Sequence, residues 1–97
     1  MNKQTDVAGT DWFVYIIETN SGTLYTGITT DVERRFNEHV TGKGAKYLRG
    51  KGPLTLRLSY ACCDRSVASQ LECKVKQLSR SEKLALIQAP DRLSSLL

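Results

Sequence analysis

Residues 12–28, Trp12-Phe13-Val14-Tyr15-Ile16-Ile17-Glu18-Thr19-Asn20-Ser21-Gly22-Thr23-Leu24-Tyr25-Thr26-Gly27-Ile28, read as two apolar segments around a short turn. Both segments are rich in β-branched and aromatic residues, the composition of short strands. Asn20-Ser21-Gly22 suits a three-residue hairpin loop, with Gly22 in the left-handed position that closes it. An odd loop sets Thr19 opposite Thr23, Ile17 opposite Tyr25 and Tyr15 opposite Gly27. Cross-strand partners share a face, so Tyr15 and Tyr25 become diagonal neighbours, roughly 7–8 Å apart at the backbone. Gly27 then leaves open space opposite Tyr15. A two-residue loop would send the two phenols to opposite faces.

Beyond the hairpin, Thr30-Asp31-Val32-Glu33 has the pattern of a capping box, with Thr30 as N-cap and Glu33 reaching back. Val32, Phe36 and Val40 form the expected buried stripe, Arg35 and His39 a second row at its edge, and Gly42 the stop. Residues 42–53, GKGAKYLRGKGP, read as a basic loop with one helical turn near 45–49. Leu54, Leu56, Leu58 and Tyr60 alternate with polar residues, which predicts a half-buried third strand. Asp64 or Ser66 caps a helix carrying Ala68, Leu71, Val75 and Leu78, and Ser81 opens another to about Ile87. Residues 1–10 are expected as a flexible tail, 11–88 as the domain, and 89–97 as a C-terminal tail, either loose or packed as a terminal turn. The order ββαβαα implies an α+β fold, a small, mainly antiparallel three-stranded sheet flanked by helices.

At 97 residues the chain suits one modest core. It is too short for a cofactor-binding α/β domain with five or six parallel strands. No apolar run approaches the roughly 18 residues that span a bilayer, and the polar start lacks a secretion signal. Cys62, Cys63 and Cys73 are odd in number and lack CxxC spacing. That pattern argues against disulfides and zinc, fits a cytoplasmic location, and suggests three small buried hydrophobes. Trp12 reads as core. Charge is unevenly placed. Residues 1–33 carry Lys3 against Asp6, Asp11, Glu18, Asp31 and Glu33, a net −4. Residues 34–57 carry Arg34, Arg35, Lys43, Lys46, Arg49, Lys51 and Arg57 against Glu38, a net +6. A basic middle points to a polyanion partner, or to solvated surface.

Phosphodiester hydrolysis needs a group that removes a proton, one that neutralises the phosphate and one that stabilises the leaving oxygen. A phenol exchanges protons, though at a pKa of about 10 it needs nearby positive charge to act as a base. Arginine offers a fork that fits phosphate oxygens, and one carboxylate suffices for Mg²⁺, which keeps most of its waters. Tyr15, Tyr25, Arg35 and Glu72 supply these parts, with His39 one turn beyond Arg35 to shuttle a proton or bind phosphate. Plainer readings fit too: strand tyrosines, a solvated Arg35, a Glu72–Lys76 surface pair and a histidine serving only as a hydrogen-bond partner.

Val14-Tyr15-Ile16, Tyr25-Thr26-Gly27, Asp31-Val32-Glu33-Arg34-Arg35 with His39, and the late Glu72 together resemble the GIY-YIG nuclease superfamily. The loop GKGAKYLRGKGPL is similar to that of its short single-domain bacterial branch of the YhbQ type. The resemblance runs over about residues 12–80. It implies DNA cleavage with one divalent metal, Mg²⁺ or Mn²⁺, on a sandwich around a three-stranded antiparallel sheet. By position it assigns Tyr25 to generating the nucleophile, Tyr15 to supporting the site and its water, Arg35 to the phosphate and Glu72 to the metal. The chain departs from the pattern in reading VYI at the first motif and Ile28 where some members have lysine or histidine. It also has no asparagine after Asn37.

Three functions fit these residues. The first is a metal-dependent DNA endonuclease or nuclease-like protein of repair or recombination, with Lys43, Lys46, Arg49 and Lys51 on backbone phosphates and Tyr47 available for stacking. The second is a non-catalytic nucleic-acid-binding module. The third is a nuclease-like adaptor for a protein partner, and such a partner would also supply specificity to an enzyme.

Overall fold

A computed structural model describes residues 11–97. The expectation for residues 1–10 lies outside the described residues. The elements are β1 (Trp12–Glu18), β2 (Leu24–Thr29), α1 (Val32–Val40), a 3₁₀ turn (Lys46–Leu48), β3 (Thr55–Cys62), α2 (Arg65–Lys76), α3 (Arg80–Gln88) and a closing 3₁₀ segment (Pro90–Leu96). The strands form one antiparallel sheet in the order β2-β1-β3. The fold is therefore α+β, with a three-stranded sheet and the order ββαβαα.

The hairpin has the register its turn length implies. Tyr15 pairs with Gly27 and Ile17 with Tyr25. Gly22 takes φ +92° and its N–H donates to Thr19 O at 2.9 Å, while Thr19 N–H donates to Thr23 O at 2.9 Å.

Each face of the sheet carries its own core. Val14 and Ile16 pack with Leu58, Cys62, Ala68, Leu71, Val75 and Leu86 on the face covered by α2 and α3. Tyr15 and Ile17 pack with Leu48 on the other face, flanked by Tyr25, Val32, Phe36 and Leu54. On β3 the pairing shifts between Ile16, opposite Leu58, and Ile17, opposite Leu56. Arg57 is the extra residue of this bulge, so Leu56 and Leu58, two apart, follow Ile17 and Ile16 to opposite faces. A plain alternation would have kept them together.

Several local expectations shift. The N-cap of α1 is Asp31, not Thr30; its carboxylate accepts from Arg34 N–H at 3.0 Å, and Thr29 Oγ1 accepts from Asp31 N–H at 3.1 Å. Val40 is 56% exposed while His39 is buried. At about 100° per residue, His39 falls within about 20° of the Val32 direction and Val40 about 80° away. Asp64 caps α2, accepting from Val67 N–H at 2.9 Å. The cap of α3 is Ser79, two residues before the expected Ser81, in a full capping box with Glu82. Of the cysteines only Cys62 is buried; Cys63 and Cys73 are exposed, and all three are free thiols. Trp12 is half-buried against the first core, with the Arg65 guanidinium 5.5 Å from its ring centre. Residues 90–96 pack on the domain, where Leu93 is fully buried in the first core and Leu96 O accepts from Lys74 Nζ at 2.5 Å. Among the described residues no helix is long and apolar enough to cross a membrane.

Candidate functional site

The two phenols meet on the α1 side of the sheet. Their ring centres are 6.4 Å apart. The Tyr15 ring lies back across β2 over Gly27, where a Cβ on residue 27 would stand 2.5 Å from Tyr15 Oη and 2.7 Å from Cζ. The space opposite Tyr15 is therefore not open, as the register alone suggested; the ring of Tyr15 fills it. Gly27 has no left-handed φ, so its requirement is purely steric.

His39 closes the cluster from α1. Its ring centre is 5.9 Å from that of Tyr15 and 5.5 Å from that of Tyr25, and Nε2 is 2.9 Å from Tyr15 Oη. The other ring nitrogen, Nδ1, accepts the Ala45 N–H at 3.2 Å. Because an N–H donates there, Nδ1 carries no proton and the neutral ring must hold its proton on Nε2. His39 therefore donates to Tyr15, which leaves the Tyr15 proton free to point elsewhere. The loop can approach this closely because residue 44 is glycine; a Cβ there would collide with Nδ1.

The charges around the cluster sort its members. Burial, with Tyr25 beside it, pushes the Tyr15 hydroxyl up to about 12, against the pull of the nearby Arg35 guanidinium. Tyr15 is a protonated donor at neutral pH. Burial and the Arg35 charge both hold His39 below the ordinary histidine value, opposed by Glu38. Arg35 Nη1 donates to Glu38 Oε1 at 2.9 Å, and Arg34 Nη1 lies 3.6 Å from Glu38 Oε2. The Glu38 hydrogen bond raises Arg35, and Arg35 in turn lowers Glu38.

Glu72 lies on α2, which packs chiefly across β1 and β2 from the face opposite the two phenols. Its charge acts on the Tyr15 hydroxyl as the smallest of the influences there, and its direct partner is Lys76, Nζ to Oε2 3.2 Å. Tyr15, Tyr25 and His39 are thus in mutual contact with Arg35 alongside, while Glu72 stands within charge range. Among the described residues no group of three or more His, Cys, Asp and Glu side chains could enclose a metal. His39 has both nitrogens engaged and is no metal ligand in this arrangement. A single half-buried carboxylate fits a hard divalent cation that keeps most of its waters, and does not fit zinc.

The basic loop adjoins the cluster. Leu48 is buried in the second core and anchors it, and Lys51 O accepts from Asn20 N–H at 2.9 Å. Tyr47 turns outward, stacked on Tyr25 with ring centres 6.1 Å apart and planes 20° from parallel. Lys43, Lys46 and Arg49 are exposed, with Arg49 Nε donating to Gly42 O at 3.1 Å, and Lys51 Nζ lies 4.1 Å from the Tyr47 ring centre. Sequence reading missed Glu38, Gly44 and the Ala45 N–H. Glu38 was visible as an i, i+3 partner of Arg35. The other two matter only because the loop folds over His39.

The buried neutral imidazole gives a pH test. At high pH His39 is neutral whether the chain is folded or not. As pH falls through about 6.5, the unfolded chain gains a proton that the folded chain refuses, so stability is lost until the folded value is passed. Urea midpoints measured between about pH 8 and about pH 5 should fall for the parent and stay flatter for His39→Gln. Equal slopes would exclude His39 as the titrating group.

A family model described as the GIY-YIG catalytic domain matches residues 11–85. A UPF0213 protein of Pectobacterium carotovorum is 58% identical over 77 residues, covering 79% of this chain and 78% of that protein. The UPF0213 protein YhbQ of Salmonella arizonae is 50% identical over 88 residues, covering 91% and 88%. The solution NMR structure of the UPF0213 protein BH0048 from Bacillus halodurans superimposes with a TM-score of 0.54 at 42% identity, covering 90% of this chain and 96% of that one.

Proposed function

The chain belongs to the GIY-YIG family, and on that premise we propose that it is a metal-dependent endonuclease hydrolysing phosphodiester bonds in DNA. The observation that carries this reading is the contact of Tyr15, Tyr25 and His39 beside Arg35, with the imidazole proton held on Nε2 by Ala45. A packed cluster of aromatic rings has no need of a guanidinium, whereas a site that binds and cleaves phosphate does.

In this reading the Arg35 fork leaves Glu38 to take two phosphate oxygens. Tyr25 relays a proton from the attacking water, accepting it as its own phenol proton passes to solvent, while the water oxygen forms the new bond to phosphorus; one ester P–O bond breaks and the departing oxygen takes a proton from solvent. Tyr15 keeps its proton, accepts from His39, and turns its own O–H to the water or the phosphate. Glu72 would hold a divalent cation, Mg²⁺ or Mn²⁺, which would supply charge neutralisation for the phosphate and the departing oxygen. Gly27 gives Tyr15 room, and Lys43, Lys46, Arg49 and Lys51 carry the DNA backbone into the site. Three free thiols suit a reducing compartment, and we place the protein in the cytoplasm on that ground.

The test is cleavage of plasmid and oligonucleotide DNA with Mg²⁺ or Mn²⁺, set against the same reactions in chelator. Cleavage should require metal, and Arg35→Ala should slow it by about 10²-fold or more. DNA binding with no cleavage under any metal would leave a binding module in place of an enzyme.

A further inference from the structure

Tyr47 is unexplained by folding. It is 47% exposed on a loop whose anchoring is done by its neighbour Leu48, 2% exposed. Its ring nevertheless has a defined seat, stacked on Tyr25, and the cations Lys46 and Arg49 lie within two positions of it. The loop is tied at both ends, by Ala45 N–H on His39 and by Asn20 N–H on Lys51 O. The ring therefore stands at a set position beside the candidate catalytic centre.

We propose that Tyr47 is a stacking platform for an unpaired base, so that this site takes DNA that is single-stranded at the nucleotide beside the cleaved phosphate. The proposal rests on the nuclease reading and narrows its substrate. In a duplex, neighbouring bases about 3.4 Å away cover both faces of each base, so an aromatic side chain can reach a base face only where the stack is already open. With 6.1 Å between the Tyr25 and Tyr47 ring centres, a base on Tyr47 belongs to a nucleotide adjoining a phosphate held at Tyr25 and Arg35. Lys51 lies over the same ring. Its long stem lets the ammonium pass from the ring to a phosphate when a base takes its place, exchanging a cation–π contact for a charge contact. An aromatic platform set among cations is the arrangement by which single strands are held without base-pair readout.

The experiment measures binding by fluorescence anisotropy, in chelator and at fixed salt, to an oligo-dT and to a blunt duplex. Cleavage of the same sequences with Mn²⁺ runs in parallel. The parent should prefer the single strand. Tyr47→Ala should weaken single-strand binding by about ten-fold and leave duplex binding unchanged, and Tyr47→Phe should retain the parent's affinity. An oligonucleotide carrying 2-aminopurine should be quenched by the parent and not by Tyr47→Ala. Equal affinity for both DNAs, or a Tyr47→Ala variant that binds the single strand as the parent does, overturns the platform even if metal-dependent cleavage is intact. Tyr47-dependent single-strand binding without cleavage of any DNA upholds the platform and overturns the nuclease reading beneath it.

Discussion

Glu72→Gln should abolish metal-dependent cleavage, lowering the rate by at least about 10²-fold, with the fold unchanged. Glutamine keeps the shape of the side chain and removes the charge that a hard cation requires. The native partner, Lys76, is 55% exposed and sits one turn away, a pair worth about 0.3–0.5 kcal/mol at most. Thermal unfolding should therefore barely move. This separates catalytic loss from structural damage, since α2 contributes to the core through Ala68, Leu71 and Val75 and not through Glu72. DNA affinity measured in chelator should also be near the parent's. Retention of metal-dependent cleavage by Glu72→Gln would remove Glu72 from the centre, and with it the role of the α2 layer in the chemistry.

Gly27→Ala, the smallest possible change, should be as damaging to activity and costly to stability as well. The new methyl would occupy the place of the Tyr15 hydroxyl, at 2.5 Å from Oη and 2.7 Å from Cζ. Tyr15 is 2% exposed and already shares its space with Tyr25 and His39, so its ring has no free position to adopt. Either β2 moves or the Tyr15–His39 hydrogen bond breaks. Overpacking of this kind costs about 1–3 kcal/mol, and cleavage should fall by about 10²-fold with the displaced phenol. A double-mutant cycle identifies the cause. In a Tyr15→Ala background the added methyl meets nothing, and Gly27→Ala should then cost under about 0.5 kcal/mol. A cost that persists without the Tyr15 ring would point to the backbone and not to the phenol.

Much of this arrangement was readable from neighbouring residues. Loop length and pleat are local, so Asn20-Ser21-Gly22 was enough to pair Tyr15 with Gly27 and Ile17 with Tyr25. Helix existence was also local, although the caps moved by one or two residues because several Ser, Thr and Asp side chains compete for each start. The periodicity misled at α1, where a strict four-residue spacing favoured Val40 and the 3.6-residue turn favours His39. It misled again at β3, where the bulge at Arg57 sends Leu58 to the first core and leaves Leu56 exposed on the opposite face. Leu93 showed no pattern of its own; the gap left beside α2 and α3 gives it a place.

By itself the sequence determined the three strands, their hairpin register, the shared face of the two phenols and the basic character of the loop, because turn length, pleat and charge are properties of adjacent residues. The tertiary structure alone decided that His39 is buried, which of its nitrogens bears the proton, that Tyr47 lies on Tyr25, and that Glu72 comes within charge range of Tyr15. These depend on where separate segments come to rest. The Ala45 N–H meets His39 because Leu48, three residues further on, is driven under the sheet by its own apolar surface and carries the loop with it.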